Sequence, residues 1–123
     1  MDSRSPDTIA EEWLLKWSTG KAAKNIDSAL DFELPRKQPN LSLAAILKVL
    51  ERIDTTSPNE VLGALAAGPL EDLLSHNGYH VVEQVDELAR RDPGFRLLLN
   101  GVWDSSIVPC VLSRLAKYRG NRW

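Results

Sequence analysis

Ala67-Gly68-Pro69-Leu70-Glu71-Asp72-Leu73-Leu74 lies in the middle of an apolar, alanine-rich run and reads as one helix ending and another beginning. Gly68 suits the residue that closes a helix or caps the next. Pro69 suits a first helical position, where an N–H has no intrahelical acceptor, and Glu71 and Asp72 favour the positive end of the helix dipole. Leu70, Leu73 and Leu74 then share one face. Because Pro69 cannot donate to the carbonyl four residues back, the sequence predicts a break or bend at the Gly68-Pro69 step.

Toward the C-terminus, the helix begun at Pro69 is expected to stop near Asn77-Gly78, a pair suited to the left-handed residue that commonly follows a helix. Tyr79 to Arg91 then forms the next helix, with Val81, Val82, Val85, Leu88 and Ala89 inward and Glu83, Gln84, Asp86 and Glu87 facing elsewhere. Asp92-Pro93 starts another by the same cap-then-proline logic. It carries Phe95, Leu97, Leu98 and Leu99 and ends at Asn100-Gly101, with Val102 and Trp103 packed over its end. A last helix over 107–118 buries Val108, Val111, Leu112 and Leu115, tolerates Pro109 in its first turn, and leaves Arg114, Lys117 and Arg119 in water.

Toward the N-terminus, Ser57-Pro58-Asn59-Glu60 reads as a capping box with proline at the first helical position, launching Val61, Leu62, Leu65 and Ala66. Leu43, Ile46, Leu47, Leu50 and Ile53 have the three-four spacing of an amphipathic helix capped by Asn40 or Ser42. Residues 31–40, Asp-Phe-Glu-Leu-Pro-Arg-Lys-Gln-Pro-Asn, hold two prolines and no period, so they read as a connecting loop pinned by Phe32 and Leu34. Lys21 to Leu30 carries a weak helical pattern. Ser5-Pro6-Asp7-Thr8 opens a helix over 6–18 that Gly20 can close, with Ile9, Trp13 and Trp17 at four-residue spacing. That stripe is either core or, with its rings exposed, a platform for a partner or stacked bases.

No segment alternates with period two, so a sheet is not expected. The 123 residues suit a single domain, 1–123, of the all-α class, with five to seven short helices stacked as antiparallel hairpins in an irregular bundle. The cap-proline starts at Ser57 and Asp92 lie 35 residues apart, within the range of helical repeats, but no strict internal repeat is present.

The run Ala66-Ala67-Gly68-Pro69-Leu70-Glu71-Asp72-Leu73-Leu74, followed by Glu83, by Ala89-Arg90-Arg91-Asp92-Pro93-Gly94-Phe95-Arg96, and by Leu99 and Gly101-Val102-Trp103, resembles a family of small bacterial proteins classed as a domain of unknown function. The likeness covers about Leu41 to Trp103 and reaches loosely to Trp13 and Trp17. It implies a bacterial or phage source and a helical fold, and it brings no established activity and no catalytic residues.

Hydrophobic residues at 43% and charged residues at 26% are an ordinary globular balance. With no cleavable leader and no apolar run of about 20 residues, the expectation is a soluble cytoplasmic protein. Cys110 is the only cysteine, which excludes an internal disulfide and a thiolate cluster within one chain, and a buried, inert thiol is expected. The net charge of −2 conceals an asymmetry. From Ile53 to Ala89 there is no Lys or Arg, whereas the last fourteen residues carry Arg114, Lys117, Arg119 and Arg122 and no acid.

His76 and His80 have the helical spacing of a metal pair with Glu83 as a third ligand, but Asn77-Gly78 between them turns the imidazoles apart, so neither a metal nor a cofactor is expected. Glu71 and Asp72 project on different faces and do not converge on a substrate; Glu71 reads as a cap for the Gly68 backbone or a partner for Arg96. Nucleophile-elbow, phosphate-loop and dinucleotide glycine patterns are absent, so no enzymatic activity is expected. The reading with most physical support is a protein-binding module, a small bacterial or phage inhibitor of the toxin-immunity or anti-defence type. It would present Glu60, Glu71, Asp72, Glu83, Asp86 and Glu87 to a basic protein partner. The competing reading of each acid is a merely solvated face. One alternative is a nucleic-acid-binding accessory protein using Arg114, Lys117, Arg119, Arg122 and Trp123. A second is an enzyme of unrecognised type.

Overall fold

Proline in a first helical turn sacrifices no hydrogen bond, and four of the seven α-helices among the described residues begin with one. The computed structural model describes residues 4–18, 28–31 and 33–123. Its helices are α1 (Pro6–Ser18), α2 (Glu33–Lys37), α3 (Pro39–Leu50), α4 (Glu60–Leu65), α5 (Glu71–Arg91), α6 (Pro93–Leu99) and α7 (Pro109–Leu115), with 3₁₀ turns at Ala29–Asp31 and Ala116–Tyr118. No strand occurs among the described residues. The fold is all-α, as the patterning implies. Every α-helix contributes to one connected apolar cluster. α1 packs along α3, and the long α5 runs against α2, α3, α6 and α7.

The Gly68-Pro69 step is not a break. Ala66–Leu70 forms a π-helical turn that carries the chain from α4 into α5 without leaving right-handed helical angles at Leu65, Ala66, Leu70 or Glu71. A wider turn accommodates both the missing N–H of Pro69 and the bulk of its ring. Gly68 adopts no left-handed backbone, and a Cβ built on it would meet nothing within 4 Å. Pro69 and Leu70 are buried, so the turn is held by packing.

The expected stop at Asn77-Gly78 is likewise a kink within α5, where Asn77 has φ −136° and ψ 28°. Its amide donates to the carbonyls of Pro35, at 2.7 Å, and Arg36, at 3.1 Å, satisfying orphan acceptors near the end of α2. Gly78 is buried, and a Cβ there would lie 3.1 Å from Val111 Cγ2 of α7. Its small size serves close packing.

Residues 31 and 33–40 are not a loop. Pro35 falls in the first turn of α2 and Pro39 at the first position of α3, so neither breaks a helix, and Leu34 and Pro35 are buried. α3 therefore begins before Asn40 and Ser42, and neither caps it. The capping box at Ser57 is displaced by two residues: Asn59 is the cap, its Oδ1 accepting from Leu62 N at 2.9 Å, and α4 starts at Glu60. The Asp92 cap is as read, with Oδ1 accepting from Gly94 N at 2.9 Å and Phe95 N at 3.3 Å. The readings at Gly20, at residues 21–27 and at Phe32 lie outside the described residues.

The tryptophan stripe divides. Trp13 is fully buried, while Trp17 remains 42% exposed. Both indole N–H groups and Lys16 Nζ converge on the buried Asp31 carboxylate, at 2.9 Å from Trp13, 3.3 Å from Trp17 and 2.6 Å from Lys16. At the other end, Trp123 Nε1 donates to the Leu97 carbonyl at 2.9 Å and its backbone N–H to Asn100 O at 3.1 Å. The ring lies where a Cβ on Gly101 would be 2.8 Å from Trp123 Cζ2.

Candidate functional site

The six acids expected to face a partner do not form one surface. Glu71 accepts the backbone N–H of Trp103 at 3.2 Å, bracing the segment after α6; it neither caps Gly68 nor meets Arg96. Arg96 instead donates to the carbonyls of Ala89 and Arg90 at the end of α5, at 2.9 and 3.1 Å. Asp72 faces Arg36 at 3.7 Å. Asp86 is a structural anchor: the Tyr118 hydroxyl donates to it at 2.5 Å, Arg114 Nε at 2.9 Å, and Lys117 Nζ lies 3.6 Å away. The Tyr118 hydroxyl and the Arg114 guanidinium hold its carboxyl below the usual carboxylate range. Glu60 and Glu83 are exposed and form no ion pair within the described residues.

Glu83 and Glu87 do come together, on the outer side of α5. They rim a groove of about 460 Å³ between α3 and α5, floored by Leu43, Ala44, Leu47 and Leu88 and bounded by Asn40, Gln84 and Arg91. Glu87 also accepts from Arg90 at 2.6 Å, which lowers the pKa of its carboxyl from the ordinary value. The arrangement is an apolar trough edged by two carboxylates, with Arg91 on the same rim. Sequence reading placed Leu43 and Leu47 in the core and gave Ala44 no role. The signal for the groove lies in α3 itself: Leu41, Leu43, Ala44, Ala45, Ile46, Leu47, Val49 and Leu50 supply more apolar surface than one buried stripe uses.

The basic C-terminal segment is paired within the fold, two cations to each of two carboxylates. Arg114 and Lys117 are committed to Asp86, and Arg119 and Arg122 both bind Asp104. Arg119, expected in water, is instead only 7% exposed. Cys110 is exposed, not buried, because Val111 takes the inward position at the start of α7; its Sγ lies 3.0 Å from the Tyr79 hydroxyl. Val102 packs inward, but Trp103 is 69% exposed and does not close over α6. His76 and His80 are exposed on α5 either side of the Asn77 kink, and no cluster of three or more potential metal ligands occurs among the described residues. No helix among those residues is long and apolar enough to cross a membrane.

By architecture this is an all-α protein with a single apolar cluster and an acidic-rimmed interhelical groove. More particularly, the chain belongs to the family of unknown function DUF6869, whose model matches residues 15–123. The match thus takes in Trp17, the α3–α5 groove and the C-terminal segment through Trp123. No curated protein and no solved structure gives a significant match.

Proposed function

We propose that the protein is a non-enzymatic binding module that receives a basic segment of a partner protein in the α3–α5 groove. The observation that carries this reading is the pairing of Glu83 and Glu87 with an apolar floor of Leu43, Ala44, Leu47 and Leu88. An apolar floor supplies contact area, and carboxylates at its edge steer a cationic partner and select against anionic ones. The finer form of the proposal is a small bacterial or phage inhibitor, of the toxin-immunity or anti-defence type, whose target is basic because it handles nucleic acid. Within the acidic set, the proposal now rests on Glu83 and Glu87. Asp86, Glu71 and Asp72 are engaged within the fold.

The test is capture from a host extract with the native chain and with Glu83→Lys/Glu87→Lys. One stoichiometric basic protein, retained by the native chain and lost with the variant at unchanged unfolding midpoint, is expected. Equal capture by the charge-reversed variant refutes the acidic-rim reading.

A further inference from the structure

The two walls of the α3–α5 groove are parallel helices. Asn77 of α5 donates to the Pro35 and Arg36 carbonyls just ahead of α3, and beyond the far ends of both helices a Cβ on Gly94 would lie 3.0 Å from Thr55 Oγ1. α3 and α5 therefore run in the same direction along the trough. Asn40 to Leu47 on one side spans about 10.5 Å, and Glu83 to Arg91 on the other about 12 Å, so the trough is about two helical turns long. Its floor offers nothing to a peptide backbone: Leu43, Ala44, Leu47 and Leu88 are apolar, and the main-chain groups beneath them are paired within their own helices. An extended segment laid along it would press a row of its own N–H and C=O groups against hydrocarbon, a cost that an α-helix avoids by pairing them internally. A helix also matches the length, since apolar side chains at i, i+4 and i+7 cover about 10.5 Å of one face.

Charge sets the direction. The ionised groups of the groove all lie on the α5 side, in the order Glu83, Glu87, Arg91. Glu87 is partnered by Arg90 at 2.6 Å, whereas Glu83 at one end and Arg91 at the other are exposed and form no ion pair within the described residues. The trough thus has a negative end and a positive end. A helix with a cation in its last turn and an acid in its first has both charges well placed on its own dipole. Those charges meet Glu83 and Arg91 only when that helix runs antiparallel to α3 and α5, a direction that also opposes its dipole to theirs.

We propose that the groove takes an amphipathic α-helix of a partner protein, antiparallel to α3 and α5. Its apolar stripe lies on the floor, a Lys or Arg in its last turn faces Glu83, and an acid in its first turn faces Arg91. This rests on the reading of the groove as the site of a cationic partner segment and adds that segment's conformation, direction and order of charge. The two differ at Arg91: a uniformly basic segment is repelled there, whereas the helix uses it.

The probe is a synthetic peptide of about 15 residues, acetylated and amidated, with Leu at i, i+4 and i+7, Glu in its first turn, Lys two turns later and a hydrocarbon staple on its outer face. A second peptide, unstapled and with prolines at two outward positions, keeps the same leucines and charges but cannot form a helix. Titration into the full chain at low salt, followed by NMR, is expected to give saturable shifts at Ala44, Leu47 and Leu88 with the helical peptide and at least about tenfold weaker binding of the other. Glu83→Lys and Arg91→Glu, both at exposed side chains, are each expected to weaken the helical peptide about fivefold at unchanged unfolding midpoint. A nitroxide at its N-terminus is expected to broaden the Leu47 and Arg91 amides more than those of Asn40 and Glu83. The proposal is overturned if the helical peptide gives no saturable shift in the groove, if broadening favours the Glu83 end, or if Arg91→Glu leaves the affinity unchanged or raises it. Equal binding of the proline peptide, lost in Glu83→Lys, would overturn the helix while leaving the groove a site for a cationic segment. Failure to capture a basic protein from the host extract would overturn that earlier reading instead.

Discussion

Replacing Gly68 with alanine separates the two ways of reading the Gly68-Pro69 step. If a helix ended there, Gly68 would occupy the left-handed region that glycine alone adopts without strain, and Gly68→Ala would destabilise the fold. In the observed π turn Gly68 adopts no left-handed angle, and an added Cβ meets nothing within 4 Å. The substitution then acts mainly by restricting the unfolded chain and improving helix propensity, a gain of about 0.5–1 kcal/mol. With an unfolding entropy of about 2.1 cal/mol/K per residue, a chain of 123 residues loses or gains about 4 °C per kcal/mol, so the midpoint should rise by about 2–4 °C. Differential scanning calorimetry at fixed pH and concentration measures this directly. A lowered midpoint would refute the continuous turn and restore the break.

Gly101→Ala is expected to cost about 1–3 kcal/mol, since its Cβ would sit 2.8 Å from Trp123 Cζ2 and 2.9 Å from Ala66 Cβ. A double-mutant cycle with Trp123→Ala should recover part of that cost, and additive effects would show that the ring does not pack there. Asp31→Ala strands the buried Trp13 indole N–H and the largely buried Lys16 ammonium, and urea titration should show a loss of about 3–5 kcal/mol; a loss under about 1 kcal/mol would dismiss the carboxylate as a hub. Asp86 and Asp104 are held below their ordinary pKa of 3.8, the first by the Tyr118 hydroxyl and Arg114, the second by Arg119. The folded state binds those protons less readily than the unfolded state. Their contribution is therefore complete above the unfolded pKa and is lost as pH falls through the lower folded values. The urea midpoint should change little between about pH 7 and 5 on their account and fall below about pH 4, with a shallower fall in Asp86→Asn; an unaltered slope in that variant would remove Asp86 from the account.

Helix class was legible because it depends on spacing within a few residues. The apolar set of α5 from Val81 to Ala89 and the cap at Asp92 are local signals, and both are as the sequence reads. The failures have long-range causes. Pro35 and Pro39 looked like breakers, but they lie within first turns, a placement fixed partly by burial of Leu34 and by Asn77 reaching across from α5. The Ser57 box lost to Asn59, whose carbonyl caps Leu62 while its amide donates to the Asp54 and Ser57 carbonyls. Asn77-Gly78 has the composition of a helix stop. Two accepting carbonyls from α2 and the side of Val111 turn it into a kink instead.

The same distinction decides how the charge asymmetry should be interpreted. A stretch without Lys or Arg from Ile53 to Ala89 suggests an acidic surface awaiting a partner, yet its cations arrive from elsewhere in the chain. Arg36 comes to Asp72, and Arg114 and Lys117 come to Asp86. Much of the acidic middle and the basic end are therefore complementary to each other, and the sequence asymmetry partly records the fold's own pairing. Exposed pairs of this kind each contribute little, about 0.2–1 kcal/mol, but they remove charge from the surface a partner meets. The acids that draw no cation from a distant part of the chain include Glu83, and Glu87 paired only with its helix neighbour Arg90, beside an apolar trough. A charge-reversal experiment that includes Asp86 would disrupt the anchoring of α7 and the turn after it along with any interface. Confining the reversal to Glu83 and Glu87 keeps loss of binding separable from loss of structure.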